Sequence, residues 1–200
     1  MAYFVKTYKN QNMPPRTDSS YQKNNFSWDF EKIIAEVKPK LIVEFGIGNG
    51  YSLQYLRWHS KDTCMVHAYD LFEDFPYNTA DFKTITKMFA RFKDNIKIEK
   101  MDFYKGHHLY KDNEIDILHI DVANNADVYK FALENYWSKI APGGAMVLEG
   151  GSAERDEVEW MNKYQKPKIN PFLKEISNQY EIEIIEKFPS LTIIRKTFAW

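Results

Sequence analysis

Acidic residues stand at or close behind a series of short apolar runs: Glu44, Asp70, Asp102, Asp121 and Glu149. The first opens Glu44-Phe45-Gly46-Ile47-Gly48-Asn49-Gly50. Glycines let a backbone turn sharply and approach a ligand with no Cβ in the way. A helix beginning near Tyr51-Ser52 would aim its free N–H groups at this loop. A dinucleotide fingerprint reads G-x-G-x-x-G and sets a pyrophosphate on the helix end, whereas the spacing here is G-x-G-x-G. Glu44 would repel a pyrophosphate and attract an ammonium, directly or through a water. Gly46, Gly48, Asn49, Gly50 and Ser52 are therefore candidates for holding a cationic, phosphate-free cofactor, against the plainer reading of a structural turn.

The other acids fill further roles. Asp70, followed by Leu71, is placed to accept both hydroxyls of a ribose; the alternative is a surface aspartate capping a turn. Asp102 is placed to accept from an adenine amino group, with Met101 or Phe103 packing on the ring. Strand alternation puts His119 and Asp121 on one side of their run, which makes Asp121 the first candidate for contact with a reacting hydroxyl. His119 is a catalytic candidate set against a hydrogen-bonded structural histidine. Glu149 is a second acid at the reacting end, and Gly150-Gly151 behind it would permit close approach of a substrate. In Glu154-Arg155-Asp156 the arginine is the candidate for a polar or anionic substrate, while the acids suit a solvated helix start. His107 and His108 are reserve bases or solvated surface.

These residues need a frame to bring them together. Phe30, Ile33, Ile34 and Val37 fall at helical spacing and stop before Pro39. Apolar runs at Leu41–Phe45, Met65–Tyr69, Ile96–Glu99, Ile115–Ile120 and Ala145–Leu148 read as buried strands. Between them Tyr51–Trp58, Asp81–Phe92 and Val128–Ile140 carry helical periodicity, and Pro142-Gly143-Gly144 reads as a turn. Asn170-Pro171 reads as an N-cap and first helical proline. Ile182–Ile185 and Leu191–Ile194, split by Pro189-Ser190, read as a terminal hairpin. Alternation of this kind predicts an α/β, Rossmann-like doubly wound fold, with a mostly parallel seven-stranded sheet ending in an antiparallel hairpin and helices on both faces. Residues 1–26, polar and without period, read as an arm that covers a ligand or contacts a partner; 27–200 read as one domain.

Two hundred residues suit a single domain with a sizeable core. A formal net charge of −1 argues against charge-driven binding of nucleic acid. Cys64 is the lone cysteine, and neither a signal peptide nor a membrane span is visible, so a cytoplasmic setting is expected. A homodimer is compatible with the sequence.

Taken together, E-F-G-I-G-N-G at Glu44–Gly50, the acid Asp70, the I-D-I-L-H-I-D stretch to Asp121 and P-G-G at Pro142–Gly144 resemble the class I methyltransferases that use S-adenosylmethionine (SAM). SAM carries an ammonium and a sulfonium and no phosphate, as the loop chemistry asks, and becomes S-adenosylhomocysteine (SAH). Within that class the chain looks like the small-molecule O-methyltransferase and cephalosporin-hydroxylase-like branch. The resemblance implies SAM contacts at Glu44, the loop glycines, Asp70 and the residues after the third strand. The branch often carries Asp-Gly-Asp-His where this chain has Asp121-Val122-Ala123-Asn124, and its metal-using members place paired acids or Asp-Asn after the fifth strand, where this chain has Glu149 and glycines. A divalent metal is accordingly not favoured. The expected activity is methyl transfer to a hydroxyl of a small polar, sugar-like metabolite; the competing readings are an N-methyltransferase and a non-catalytic SAM-binding module, with a nicotinamide enzyme disfavoured by the loop.

Overall fold

The structure, a computed structural model, describes residues 20–76, 78 and 80–197. The chain runs α1 (Ser20–Lys23), α2 (Ser27–Val37), β1 (Leu41–Phe45), α3 (Tyr51–His59), β2 (Met65–Asp70), α4 (Phe82–Phe89), β3 (Ile96–Lys100) and α5 (Phe103–Gly106). It continues β4 (Ile115–Ile120), α6 (Ala126–Asn135), β5 (Ile140–Glu149), α7 (Glu159–Lys163), α8 (Ile169–Ile176), β6 (Glu181–Ile185) and β7 (Leu191–Arg195). The seven strands lie in the order β3-β2-β1-β4-β5-β7-β6. β1 to β5 pair in parallel, and β7 runs antiparallel to both β5 and β6. This is the Rossmann-like, doubly wound fold with a terminal antiparallel hairpin that the alternation predicts.

Strand residues alternate between two cores. Ile42, Val66, Ala68, Ile117, Val147 and Ile193 face α1 to α4; Val43, Phe45, Leu118, Ile120, Met146 and Ile194 face α5, α6 and α8. Both sheet faces are covered, so the parallel strands read as unbroken apolar runs. Leu53 and Leu56 of α3 are fully buried, each contributing roughly 1.5–3 kcal/mol of burial. The order reverses between β1 and β4, the switch point beyond whose carboxyl ends such folds bind ligands.

Local expectations are corrected in three places. Pro142-Gly143-Gly144 lies inside β5, not in a turn, because Gly143 N donates to Lys196 O and Lys196 N to Gly144 O. Helix α8 starts at Ile169, and its cap comes from Asp156, whose carboxylate accepts from Ile169 N (2.8 Å) and Asn170 N (2.7 Å). Asn170 instead donates to Gly151 O. Lastly, 20–26 is part of the domain: Tyr21 and Phe26 are buried in the first core with Phe30. The expected lid or partner role of the arm otherwise falls on residues 1–19, outside the described residues. Among the described residues no helix is long and apolar enough to cross a membrane, and Cys64 is buried and unbridged.

Candidate active site

A cavity of about 510 Å³ runs across the carboxyl ends of all five parallel strands, within the usual range of about 300–1,000 Å³ for small-molecule sites. Its wall takes Gly46 and Gly48 from the loop after β1, and Asp70 and Leu71 from the end of β2. Asp102 and Phe103 follow β3, Asp121 follows β4, and Glu149 and Arg155 belong to β5 and the segment after it. The switch point therefore brings these nine residues, together with Met101, all singled out in the sequence, onto one surface.

The loop turns through left-handed backbone at Gly46 (φ +91°) and Gly48 (φ +50°). At Gly46 a side chain is excluded: a Cβ would lie 1.9 Å from the Asp121 carbonyl oxygen. The close approach joins β1 to β4, and Asp121 N donates to Phe45 O at 2.8 Å. Gly48 has no described atom within 4 Å of a built Cβ, so its bare backbone faces the cavity. Asp70 ties the loop down: Oδ2 accepts from Ile47 N (2.7 Å) and Gly48 N (3.0 Å), and Oδ1 from Phe72 N (2.8 Å) and Asn78 Nδ2 (2.7 Å). A carboxylate offers about four lone-pair positions, and all are taken, so Asp70 is first of all the brace of the loop. Asp102 caps α5 through Tyr104 N (3.0 Å), and Phe103 is packed on Tyr136 and Phe45.

Several expected contacts sit behind the wall. Gly50 makes the αL entry to α3 against Phe89, Asn49 belongs to the same turn, and Ser52 is buried on α3; none of the three lines the cavity. Glu44 is fully buried one residue before the wall; its Oε1 accepts from His119 Nδ1 at 3.0 Å, and Oε2 has no hydrogen-bond partner among the described residues. His119 is fully buried too, under Phe30 and Tyr21, and its Nε2 meets Tyr21 Oη at 3.3 Å. His107 and His108 pack on each other near Phe131, away from the cavity. Gly150 and Gly151 serve packing instead of substrate approach, since a Cβ on Gly151 would lie 2.0 Å from Thr192 Oγ1.

The acids at the far end are unequal. Both Glu149 oxygens are held by Arg155, Nε on Oε1 and Nη2 on Oε2 (2.8 Å). Burial pushes the Glu149 carboxyl up to about 8, Arg155 pulls against it, and Asp121 adds to the rise. Arg155 lies under Trp160, with its Nη1 buried and unpartnered among the described residues. Asp121, by contrast, has no arginine on its oxygens among the described residues, and burial raises its proton affinity. Asn124 is a buried tie between the strand ends, donating to Ile120 O (2.9 Å) and Glu149 O (2.8 Å). Tyr21, Asn78 and Trp160 were not among the sequence candidates. A signal for the first existed in the aromatic spacing Tyr21, Phe26, Phe30; Asn78 and Trp160 carried none.

A family profile described as a methyltransferase domain matches residues 43–149, more than half of the chain. The chain belongs to that family. With this sheet order it is a class I methyltransferase, a class whose methyl donor is SAM. Among solved structures the methyltransferase resembles one from Geobacter sulfurreducens, at 15% identity over 93% of this chain and 92% of that one (TM-score 0.63). A Staphylococcus aureus protein proposed to be a caffeoyl-CoA O-methyltransferase aligns at 18% identity over 86% and 83% (TM-score 0.68). A Podospora anserina methyltransferase with SAH bound aligns at 14% over 95% and 92% (TM-score 0.61). Likeness at such identities establishes the fold. No match was found among curated proteins.

Proposed function

We propose that this methyltransferase transfers the methyl group of SAM to a hydroxyl of a small polar, sugar-like metabolite, with Asp121 as the base. The observation that carries the reading is the division of labour along one cavity, with bare glycine backbone at one end and, at the other, a carboxylate that no guanidinium holds among the described residues. The residues fit the donor. Gly48 offers a cradle that a side chain would fill, while Glu44, behind the wall, would hold an ammonium only through a water. Asp102, Phe103 and Leu71 would hold the adenosine end, and a ribose contact at Asp70 would take the place of Asn78 on Oδ1.

When bound, SAM supplies a methyl group activated on a sulfonium. The chain's own work is alignment and proton removal. Alignment of reacting groups is worth up to roughly 7–11 kcal/mol. Asp121 accepts the proton of the acceptor hydroxyl, and burial, by lifting its proton affinity, makes it a stronger base than an exposed aspartate. Glu149 can take a proton only by releasing a guanidinium bond, so it positions Arg155, whose Nη1 donates to an acceptor oxygen. The guanidinium also occupies the oxygens that a metal ion bridging Asp121 and Glu149 would need, which supports metal-independent transfer.

The test is calorimetric titration with SAH and with NAD, then an acceptor panel led by sugars and phenols, run with SAM and a chelator. SAH binds and NAD does not, transfer survives the chelator, and Asp121→Asn lowers turnover by about 10²–10⁴-fold at unchanged SAH affinity. Full activity of Asp121→Asn on a hydroxyl acceptor would remove the base assignment. A preference for amines would move the reading to N-methylation, where a base matters less.

A further inference from the structure

Asp70 lines the cavity where a ribose is expected, yet its carboxylate is fully engaged. Oδ2 accepts from Ile47 N at 2.7 Å and Gly48 N at 3.0 Å, and Oδ1 from Phe72 N at 2.8 Å and Asn78 Nδ2 at 2.7 Å. With about four lone-pair positions on a carboxylate, a ribose hydroxyl reaches Asp70 only by taking a position that another donor holds.

The four donors differ in whether they can leave. Ile47 N and Gly48 N are main chain of the glycine loop, which is pinned by Gly46 N on Tyr69 O (2.9 Å) and by the buried Ile47 side chain. Phe72 N is main chain as well, and its ring is fully buried against Phe82, with centroids 5.3 Å apart. Phe72 takes a left-handed backbone (φ +50°), which a bulky residue keeps only where its surroundings fix it. Asn78 alone of the four donates from a side chain, and it is half-buried on the cavity wall near Phe75. Its main chain is held separately, Asn78 N donating to Phe75 O at 2.9 Å. Its Oδ1 accepts from Ala80 N at 3.1 Å. The amide can therefore swing off Asp70, losing two side-chain bonds, while the turn keeps its main-chain bond.

We propose that the Asn78 amide is a built-in stand-in for the ribose, holding the one Asp70 position that a ligand can take, and that SAM binds by displacing it with a single ribose hydroxyl. The inference rests on the donor-site reading made above. The exchange replaces one charge-assisted hydrogen bond on Oδ1 by another. Asp70 is buried, and a buried carboxylate stripped of a donor is costly; Asn78 spares it that state and keeps the glycine loop braced. Two consequences follow from the geometry. Asp70 reads one ribose hydroxyl and leaves the second to other partners. A nucleoside with no ribose hydroxyl leaves Asn78 where it is, so Asn78 taxes the binding of hydroxyl-bearing ligands alone.

The test needs neither acceptor nor turnover. Full-length wild type and Asn78→Leu, which keeps the size of the side chain without a donor, are titrated calorimetrically with SAH, adenosine and 2′,3′-dideoxyadenosine. In Asn78→Leu, SAH and adenosine bind about 2–10-fold more tightly, the worth of one net hydrogen bond, and dideoxyadenosine binds both forms equally. Weaker or unchanged adenosine binding in the variant would overturn the proposal, as would an equal gain with both nucleosides, which would mean a roomier cavity alone. Should Asn78→Leu not fold, the side-chain amide signal of Asn78 is followed by ¹⁵N–¹H spectroscopy in wild type: adenosine moves it and dideoxyadenosine leaves it in place, and the same response to both is the overturning result. SAH bound by neither form would remove the donor-site reading and the proposal with it, whereas SAH bound equally by both would remove the stand-in and leave the donor site.

Discussion

Gly46 and Gly48 are two residues apart in one loop, yet the structure assigns them different work. At Gly46 an added Cβ meets main chain: 1.9 Å from the Asp121 oxygen and 2.5 Å from its carbonyl carbon. Neither atom can rotate aside, so Gly46→Ala must push the ends of β1 and β4 apart. Left-handed strain contributes about 1–3 kcal/mol, and overpacking about 1–3 kcal/mol more. At roughly 2–4 °C per kcal/mol for a chain of this length, melting falls by about 4–24 °C. Gly48→Ala has open space around its Cβ and a backbone in the αL region, a strain of roughly 1–2 kcal/mol. Its methyl projects into the cavity, and a steric penalty of about 1–3 kcal/mol there weakens SAH by about 5–150-fold. Differential scanning calorimetry and SAH titration read the two quantities independently. If Gly46→Ala melts within a degree or two of wild type, the close approach of β1 and β4 is wrong. If Gly48→Ala melts mildly lower and binds SAH as tightly as wild type, the cavity is not the donor site.

Two further expectations concern the segment after β5. Glu149 has its proton affinity raised in the folded state, from 4.5 to about 8, so the folded protein holds more protons than the unfolded one between those values, and stability falls as pH rises through that window; melting temperature against pH should slope downward there in wild type, and Glu149→Gln should flatten the slope, an identical slope counting against the assignment. Asp156→Ala removes the cap of α8, an expected loss of about 0.5–2 kcal/mol seen as a melting shift of a few degrees, and no shift would mean that Ile169 N and Asn170 N find other acceptors.

What the sequence made legible follows the range of the forces involved. Leu41–Phe45 and Ile115–Ile120 are strands with the ends read from their apolar runs, because burial on both faces writes the whole run in apolar letters. Pro142-Gly143-Gly144 carried a turn signal that pairing with Lys196 overrode, a contact with a strand end far along the chain. Asn170 lost its cap role to Asp156 for the same reason: the carboxylate comes from another element. In the site, the glycine spacing and the acids after each strand were readable because backbone approach and strand ends are local features. That Asp70 spends its oxygens on the loop, and that Tyr21 reaches His119 across 98 residues, depends on folding alone.

The two acids at the reacting end illustrate how far environment decides chemistry. As letters, Asp121 and Glu149 are equivalent: each closes a parallel strand, and each lines the same cavity. Burial raises the proton affinity of both, and neither can be charged without affecting the other. Such pairs divide into distinct roles when their surroundings differ. Here the difference is a guanidinium that claims both oxygens of Glu149 and none of Asp121. A hydroxyl entering the cavity thus meets one carboxylate already committed and one able to accept a proton. Arg155→Lys would keep the charge but lose the planar fork, freeing a Glu149 oxygen and making the second acid a competing base.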